Sequence, residues 1–456
     1  MNMYKHNILL SVFILSWILM NTSCSKFLEK KTDQSLSIVS TVDDLHELLV
    51  YYPWMNSYSP SLGEACSDNY YLTDDDWGAT SELTQNLYLW QKYDQLKGDW
   101  SSPYRMINTA NTVIDNADKV TINNSGEKQR ANTLKSMAYF VRAFYHFGLS
   151  QLFMKVYNKE TAKSDLGIPL KLTSDLNEKI TRATAEVTYR QIISDLELSL
   201  KSLPISLKEK YLATKQAAYG ELSRVYLSMQ DYQNAGKYAD SCLKLYHNLI
   251  DYNSVDSTSQ SPFEQFNLED IYDIQSISPN SLQQSKAKVD STLYKSYANN
   301  DIRKYAFFQS NGDGTFHFKG NYTGKPGNHT MFTGIATDEM FLNRAECFAR
   351  QGDSSAALND LNNLLRHRYV KGTFKQYSSP VSGGLIKLIL KERRKELLFR
   401  GLRWTDLRRL NKESEYADTL YRFINGKEYE LLPGSDRYTI QIDRRSVELS
   451  GLIQNP

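Results

Sequence analysis

The segment AAYGELSRVYLSMQDYQNAGKYADSCL, residues 217–243, predicts two helices that fold back on each other. Its apolar residues recur at intervals of three and four, which is the period of an amphipathic helix. The polar stretch QDYQ, residues 230–233, interrupts the pattern and supplies a turn. The first helix carries Ala218, Leu222, Val225 and Met229 on one face, and the second carries Ala235, Tyr238, Ala239, Cys242 and Leu245. We therefore expect the two apolar faces to pack together.

The same design recurs nearer the C-terminus. One apolar face contains Phe341, Leu342, Ala345 and Phe348, a turn follows at Gly352, and the next face contains Ala357, Leu361 and Leu364. Further helices are predicted over residues 134–148 and before Pro204. Small residues on these faces allow helices to approach closely, as in tetratricopeptide units. Such units stack on each other and bury the apolar surface that a single helix pair leaves exposed. The sequence predicts a mainly α, tetratricopeptide-like helical-repeat scaffold.

Two long segments, about residues 51–92 and 248–334, lack helical periodicity and are too long to be simple connectors. Within the second, Phe316 and Phe318 alternate around His317 after a glycine-rich turn, which predicts a short strand. We therefore expect long irregular loop insertions and a few short strands. Insertions in a regular scaffold commonly carry function.

Composition narrows the class of protein. The chain has 456 residues, 41% of them hydrophobic, which is enough to bury a substantial core. Its 54 Lys and Arg residues balance 52 Asp and Glu residues, so the basic excess that nucleic-acid binding requires is missing. Its 31 tyrosines combine flat apolar faces with polar hydroxyls, which suits binding surfaces.

The N-terminus predicts export and lipid attachment. Lys5 precedes an apolar run over residues 8–20, which is too short to span a bilayer, and small polar residues lead to Cys24. We expect residues 1–23 to be a lipoprotein signal peptide, Cys24 to carry the lipid, and residues 24–456 to form a single domain. Three other cysteines remain, Cys66, Cys242 and Cys347. Because their number is odd, we expect no structural disulfide.

The segment SDNYYLTDDDWG, residues 67–78, concentrates aromatic rings and carboxylates. It lacks the alternating acids and central glycine of a calcium-binding EF-hand loop. Sugar rings stack their C–H faces on aromatic rings and bond their hydroxyls to short polar side chains, so the segment predicts glycan contact. The candidates in and around it are Trp54, Asp68, Asn69, Tyr70, Tyr71, Asp75, Trp77, Tyr88 and Trp90. The second insertion adds Tyr272, Tyr294, Tyr297, Asn299 and Arg303.

No hydrolase, nucleotide-binding or zinc motif occurs, and the seven histidines lack metal-ligand spacing, so we expect no catalytic centre, metal or cofactor. Glu64 and Asp68 are a conceivable glycosidase pair, although a solvated loop edge is the favoured interpretation. The charged segment KERRKELLFRGLRWTDLRRL, residues 391–410, predicts one structural helix with internal salt bridges rather than an anion site. Trp404, Trp100 and Tyr104 are interpreted as core residues.

Several segments together resemble the SusD/RagB family of outer-membrane lipoproteins. They are LKSMAYFVRAFYHFGLSQLFMKVYNKETAKSDLGIPLKL (residues 134–172), the helix pair at 217–243, MFLNRAECFARQGDSSAALNDLNNLLRHRY (340–369), the charged segment at 391–410 and the closing IQIDRRSVELSGLIQNP (440–456). The similarity covers nearly the whole chain, and the segments occur in the order found in the family. Arg400 and Leu402 depart from the family, where an acid and a histidine are common.

The resemblance implies a SusD-like fold and a cell-surface protein, anchored in the outer membrane by lipid, that captures oligosaccharides. Its implied partner is a SusC-like TonB-dependent transporter, to which it delivers the glycan without catalysis. Three alternatives stay open: oligopeptide cargo for a similar transporter, a helical scaffold that binds only proteins, and a surface hydrolase.

Overall fold

Helices dominate the structure of residues 39–379, 381 and 384–456, which is the part of the chain that the computed structural model describes. The helices are α1 (Val42–Val50), α2 (Tyr52–Met55), α3 (Leu62–Cys66), α4 (Asp74–Gly78), α5 (Glu82–Tyr88), α6 (Lys97–Asn116), α7 (Ser125–Phe153), α8 (Ala185–Ser199), α9 (Lys215–Ser228), α10 (Tyr232–Leu245), α11 (Ser291–Lys295), α12 (Arg303–Ala306), α13 (Thr337–Arg350), α14 (Ser354–Arg366), α15 (Leu385–Glu396), α16 (Arg403–Leu410) and α17 (Arg444–Ser450). Residues from Thr41 onward form one compact unit. The predicted signal peptide, its boundary and Cys24 lie outside the described residues.

The predicted helical hairpins are confirmed. Helices α9 and α10 pack on each other, α10 packs on α13, and α13 packs on α14, so the pairs stack in series. Asp231 begins α10 by accepting a hydrogen bond from the Asn234 backbone N–H, and Asp353 begins α14 by accepting one from Ala356. Helices α6, α7 and α8 continue the stack on the N-terminal side. The scaffold is therefore mainly α and tetratricopeptide-like, as predicted.

Glycine sets how closely two of these pairs approach. A Cβ atom on Gly236 of α10 would stand 2.9 Å from the Cβ of Cys347 on α13. Arg344 of α13 also joins three helices, because it donates to Asp240 of α10 at 2.8 Å and to Asp360 of α14 at 2.7 Å. Close packing and a polar bridge thus fix the order of the stack.

The strands of the described chain are short and form two-stranded antiparallel sheets. They are β1 (Tyr70–Tyr71) with β6 (Lys288–Val289), β2 (Leu166–Pro169) with β3 (Arg182–Thr184), β4 (Asp270–Tyr272) with β10 (Ile335–Ala336), β5 (Gln275–Ile277) with β9 (Thr330–Phe332), β7 (Phe308–Ser310) with β8 (Phe316–Phe318), and β11 (Leu420–Ile424) with β12 (Lys427–Leu431). The strand predicted at Phe316 is confirmed as β8. Strand β1 pairs with β6, so the two insertions meet.

The insertions are more ordered than the sequence predicts. Helices α2, α3, α4 and α5 occupy residues 52–88, where helical periodicity is weak. Helix α4 forms because the Thr73 side chain caps it by accepting a hydrogen bond from the Asp76 backbone N–H. Rings from both insertions then fill one buried cluster that includes Tyr70, Tyr88, Tyr297, Phe308 and Phe318. The expectation of long irregular insertions with a few short strands is confirmed, while local caps and burial of aromatic surface order parts of them into short helices.

The charged segment at residues 391–410 forms two helices, α15 and α16, and not the single predicted helix. Phe399 and Gly401 between them have positive φ angles of 56° and 72°, which a continuous helix does not allow. The predicted salt bridges are present, since Arg393 pairs with Asp406 at 2.7 Å. Trp404 is buried, as predicted. The segment is structural.

Cys66, Cys242 and Cys347 are buried free thiols. Burial raises the pKa of each, to about 12 for Cys66. They therefore pack as small apolar side chains, as predicted from their place on helical faces. Within the described residues, none of the helices has both the length and the apolar character needed to cross a bilayer.

Candidate functional site

A groove of about 870 Å³ lies at one end of helix α6. Four distant parts of the chain form it: Trp54 of α2, residues 100–109 of α6, residues 169–181 and residues 446–452. Its lining is Trp54, Trp100, Ser101, Tyr104, Arg105, Asn108, Thr109, Pro169, Lys171, Leu176, Glu178, Lys179, Ile180, Thr181, Ser446, Leu449, Ser450 and Leu452. Pockets of this size that combine aromatic walls with a few polar groups are typical of small-molecule sites.

Helix α6 supplies the floor of the groove. Trp100, Tyr104 and Asn108 follow each other at intervals of four, so they share one helix face. The Trp100 ring packs edge-on against Phe153, with 4.9 Å between ring centroids, and lies 5.1 Å from the Tyr104 ring. The Tyr104 hydroxyl donates to the Pro169 carbonyl oxygen at 2.8 Å. Both rings are thus held in fixed orientations while they line the hollow.

Trp54 forms a second aromatic wall together with a cation. The Arg105 guanidinium lies over the Trp54 ring at 4.9 Å from its centroid and over the Tyr58 ring at 5.8 Å. Arg105 Nη2 also donates to Ser102 Oγ at 2.8 Å. Stacking orients the guanidinium, because the flat cation is attracted to the face of an aromatic ring. Trp54 is therefore part of the groove, and the sequence did identify it as a candidate.

The remaining wall is polar. Lys171 Nζ lies 3.0 Å from Glu178 Oε2, and Thr173 Oγ1 donates to the same oxygen at 2.7 Å. Asn111 Nδ2 donates to the Lys171 carbonyl oxygen at 3.1 Å, which ties this loop to α6. Asn108 Oδ1 is a buried acceptor without a hydrogen-bond partner in the described part of the chain. The wall thus offers charged groups to a ligand with hydroxyls.

Four candidates of the first insertion are buried, contrary to the expectation of exposed loop residues. The Tyr70 hydroxyl donates to the Ala65 carbonyl oxygen at 2.8 Å, and Trp90 Nε1 donates to the Cys66 carbonyl oxygen at 2.9 Å. The Tyr88 hydroxyl accepts from a backbone N–H, and the Asn69 amide donates to Glu64. These side chains stabilise the insertion, and they present no ring face to solvent here.

In the second insertion, Tyr272, Tyr297 and Arg303 are also buried. The Tyr297 hydroxyl donates to the Lys395 carbonyl oxygen at 2.7 Å. Arg303 is 0% exposed and bonds to Asp301, Glu392 and Glu396. The expectation that they face an open cleft is therefore corrected, since interior hydrogen bonds and ion pairs satisfy their polar groups.

Other candidates keep some exposure. Trp77 is half-buried at the edge of the aromatic cluster, and its Nε1 donates to the Gln85 carbonyl oxygen at 3.3 Å. Tyr71 is half-buried, while Asp75 and Asn299 are exposed. Tyr294 is half-buried and stacks on Phe316 at 3.7 Å between centroids. Contact of these residues with a glycan stays a prediction.

Asp68 lies behind a second hollow. Its carboxylate accepts from Arg403 at 2.7 Å and lies 3.0 Å from Arg394, and both arginines line a cleft of about 450 Å³. Burial opposes ionisation of Asp68, but the two guanidinium groups outweigh it and hold the pKa of Asp68 below its usual range. Asp68 therefore anchors the cleft wall through its arginine partners.

Glu64 is 0% exposed, so the solvated loop edge expected for this acid is wrong. It accepts hydrogen bonds from Asn69 at 2.8 Å and from the Gly401 backbone N–H at 3.0 Å. Burial is the main cause of its raised pKa. Glu64 joins the first insertion to the break between α15 and α16, which is a structural role.

Three buried acids, Glu269, Asp338 and Glu396, bring carboxylate oxygens within 4.8 Å of one another. Arg368 pairs with Glu269 and with Glu396 at 2.6 Å each, and Arg400 pairs with Asp338 at 2.9 Å. Arginines thus supply the positive charge that this cluster needs. Arg400, which departs from the family pattern, is one of these structural partners.

Stacked helix pairs define a helical-repeat protein, its aromatic groove is a candidate binding site, and the comparisons specify the family. Residues 26–227 match the SusD-like family described as starch-binding and associating with the outer membrane, and residues 317–448 match the SusD family. The chain belongs to the SusD family.

Relatives agree over most of the chain. SusD-like protein P2 of Formosa agariphila is 24% identical over 374 residues, which are 69% of this chain and 72% of the relative. A solved putative sugar-binding protein from Bacteroides vulgatus has a TM-score of 0.76 at 22% identity and covers 92% of this chain and 99% of its own. A solved structure described as a laminarin-binding SusD-like protein has a TM-score of 0.66 at 18% identity, covering 91% and 99%. At these identities the solved structures establish the fold.

The sequence missed most of the groove. Trp100 and Tyr104 were interpreted as core residues because they lead into an amphipathic helix, and this is confirmed for Trp100, which is buried, whereas Tyr104 is half-buried. Their spacing with Asn108, and Arg105 beside them, was the available signal: a helix face that combines rings with an amide and a neighbouring cation is unusual for a core. The other walls come from residues 169–181 and 446–452, which no local pattern relates to α6.

Proposed function

We propose that this protein is a cell-surface glycan-binding lipoprotein of a nutrient-uptake system. It captures oligosaccharides and delivers them to a SusC-like TonB-dependent transporter in the outer membrane. Lipid on Cys24 holds it at that membrane. Family membership and the laminarin-binding relative support the glycan part of this proposal. The sequence of residues 1–24 supports the anchor.

The groove between Trp54 and Tyr104 is the observation that carries the proposal. Its aromatic walls suit the apolar C–H faces of sugar rings, while Arg105, Asn108, Lys171 and Glu178 suit their hydroxyls. Its volume of about 870 Å³ is within the range of small-molecule sites and accommodates a short oligosaccharide. Trp77, Tyr71, Asp75 and Asn299 are further candidate contacts for a longer glycan chain.

Replacement of Trp54 tests the glycan site. We expect Trp54→Ala to weaken oligosaccharide binding about tenfold, because one aromatic contact contributes about 1 to 1.5 kcal/mol. Isothermal titration of a glycan panel that includes laminarin fragments measures the change. Tyr421→Ala is the matched control, since Tyr421 is an exposed ring on β11 outside the groove.

Two results would contradict the proposal. Unchanged affinity in Trp54→Ala would exclude the groove as the glycan site. Binding of oligopeptides, with no response to any glycan, would favour peptide cargo instead. Transporter delivery is tested separately, by co-purification of the lipid-anchored protein with an outer-membrane β-barrel partner from native membranes.

A further inference from the structure

We infer that the groove selects anionic oligosaccharides, whose uronic acid carboxylates or sulfate esters bind its basic side chains. This inference rests on the proposed glycan-binding function. It adds a class of sugar to that function, since neither the family nor its relatives assign a charge to the ligand of this chain.

The charges that line the groove are unequal. Arg105, Lys171 and Lys179 are basic, and Glu178 is the single acid among the lining residues that the structure describes. Lys171 pairs with Glu178 at 3.0 Å, so these two charges offset each other. The whole chain has a formal net charge of only +2, so the excess in the groove is local. A concave surface with one sign of charge attracts ligands of the opposite sign.

Two acids, Asp115 and Asp175, lie beside the groove and are not among its lining residues. Asp115 accepts hydrogen bonds at 2.8 Å from the backbone and the hydroxyl of Ser174. Asp175 accepts from the Asn177 backbone N–H at 2.9 Å. Both carboxylates are occupied in shaping the loop that follows β2. Within the described chain, Arg105 and Lys179 form no ion pair with an acid.

Arg105 is the side chain best placed to read an anion. Its guanidinium is exposed, lies over the Trp54 ring at 4.9 Å and uses one hydrogen bond, to Ser102. A guanidinium has five N–H donors in a planar fork that matches a carboxylate or a sulfate. Stacking on Trp54 fixes this fork beside the ring on which a sugar would pack. One acidic sugar can therefore contact the ring and the cation together.

The test compares charged oligosaccharides with their neutralised forms. Isothermal titration of the purified protein uses oligogalacturonates with their methyl esters, and sulfated galactan oligosaccharides with their desulfated forms. We expect the charged form to bind about tenfold more tightly in at least one pair, because charge-assisted hydrogen bonds are the stronger ones. The carboxylate and sulfate arms distinguish the two sources of charge. Added salt should reduce the difference.

Variants assign the effect to the groove. Arg105→Gln should abolish the preference for the charged form, and Arg105→Lys should retain part of it. Arg366→Gln on the exposed face of α14 is the control and should leave the preference unchanged. The inference is overturned if no charged form binds more tightly than its neutral twin, or if the preference survives Arg105→Gln. If neutral glycans bind and Trp54→Ala weakens that binding, the proposed function stands without the charge preference. If no glycan binds at all, the proposed function and the inference are both overturned.

Discussion

At the scale of single residues, burial separates structural side chains from candidate ligand contacts. Arg303 illustrates this, because its sequence context suits a binding loop while the structure buries it between three acids. Glu392 and Glu396 lie in α15, 89 and 93 positions away in sequence, so the segment around Arg303 gives no indication of them. Short-range patterns can identify aromatic and polar residues as candidates. They cannot tell which of them find partners in the interior.

Removal of Arg303 should strongly destabilise the fold. Its Nη2 lies 2.7 Å from Asp301 and 2.7 Å from Glu392, so Arg303→Met removes a cation that both buried carboxylates share. Lys395 still pairs with both acids at 3.0 Å, so the compensation is partial. We expect a loss of about 3 kcal/mol in the free energy of unfolding, measured by urea titration. Lys155→Ala is the control, because its pair with Asp436 is half exposed, and it should cost under about 1 kcal/mol. A similar small loss for both variants would contradict this account.

His146 should make stability depend on pH. It is 0% exposed, its ring nitrogens have no partner in the described chain, and burial followed by the nearby Arg142 lowers its pKa to about 3. The folded protein therefore binds fewer protons than the unfolded chain, and this contribution is present above the unfolded value of 6.5 and lost as pH falls toward 3.

The variant His146→Gln removes this titration. Relative to the variant, the wild type should lose about 2 kcal/mol of unfolding free energy between about pH 7 and pH 5. Urea titrations of both proteins at each pH measure the difference, whatever the absolute stability of the variant. A difference that does not change with pH would show that His146 is not buried as the neutral form.

At the scale of elements, the helix pairs were predictable and the insertions were not. Apolar residues at intervals of three and four identify helices such as α9 and α13 because the buried face repeats with the helix period. Short helices such as α4 depend on a single cap at Thr73, which periodicity does not detect. The break between α15 and α16 depends on Gly401 and its bond to Glu64, which lies 337 positions away. Non-local contacts of this kind decide element boundaries.

Close packing of α10 on α13 should not tolerate a methyl group at Gly236. The added Cβ in Gly236→Ala would stand 2.9 Å from Cys347 Cβ, so the helices must separate. We expect a net loss of about 1 to 2 kcal/mol, since overpacking outweighs the better helix propensity of alanine. Thermal and urea unfolding measure it.

Gly98 provides the comparison for this prediction. It lies in helix α6, and a Cβ there would meet nothing within 4 Å. Gly98→Ala should therefore be neutral or stabilise the protein by up to about 1 kcal/mol. Equal effects of the two substitutions would show that helix propensity, and not the approach of α10 to α13, determines the stability at Gly236.

At the scale of the whole molecule, the fold creates the groove by joining segments that are far apart in sequence. Trp54 belongs to the first insertion, Tyr104 to α6 and Leu449 to α17, which follows almost 400 residues after Trp54. Family resemblance predicts the scaffold that brings them together, because the scaffold is what the family shares. A shared scaffold does not specify which side chains line its grooves. The site therefore required the structure, although one of its residues was predicted.

The most direct test of the glycan-binding claim is a crystal structure of this protein with a bound oligosaccharide that titration has identified as a ligand. The account predicts a sugar ring in van der Waals contact, at about 4 Å, with Trp54 or Tyr104 in the groove. An oligosaccharide bound instead in the cleft lined by Arg394 and Arg403, or against Trp77, with no sugar in the groove, would contradict it.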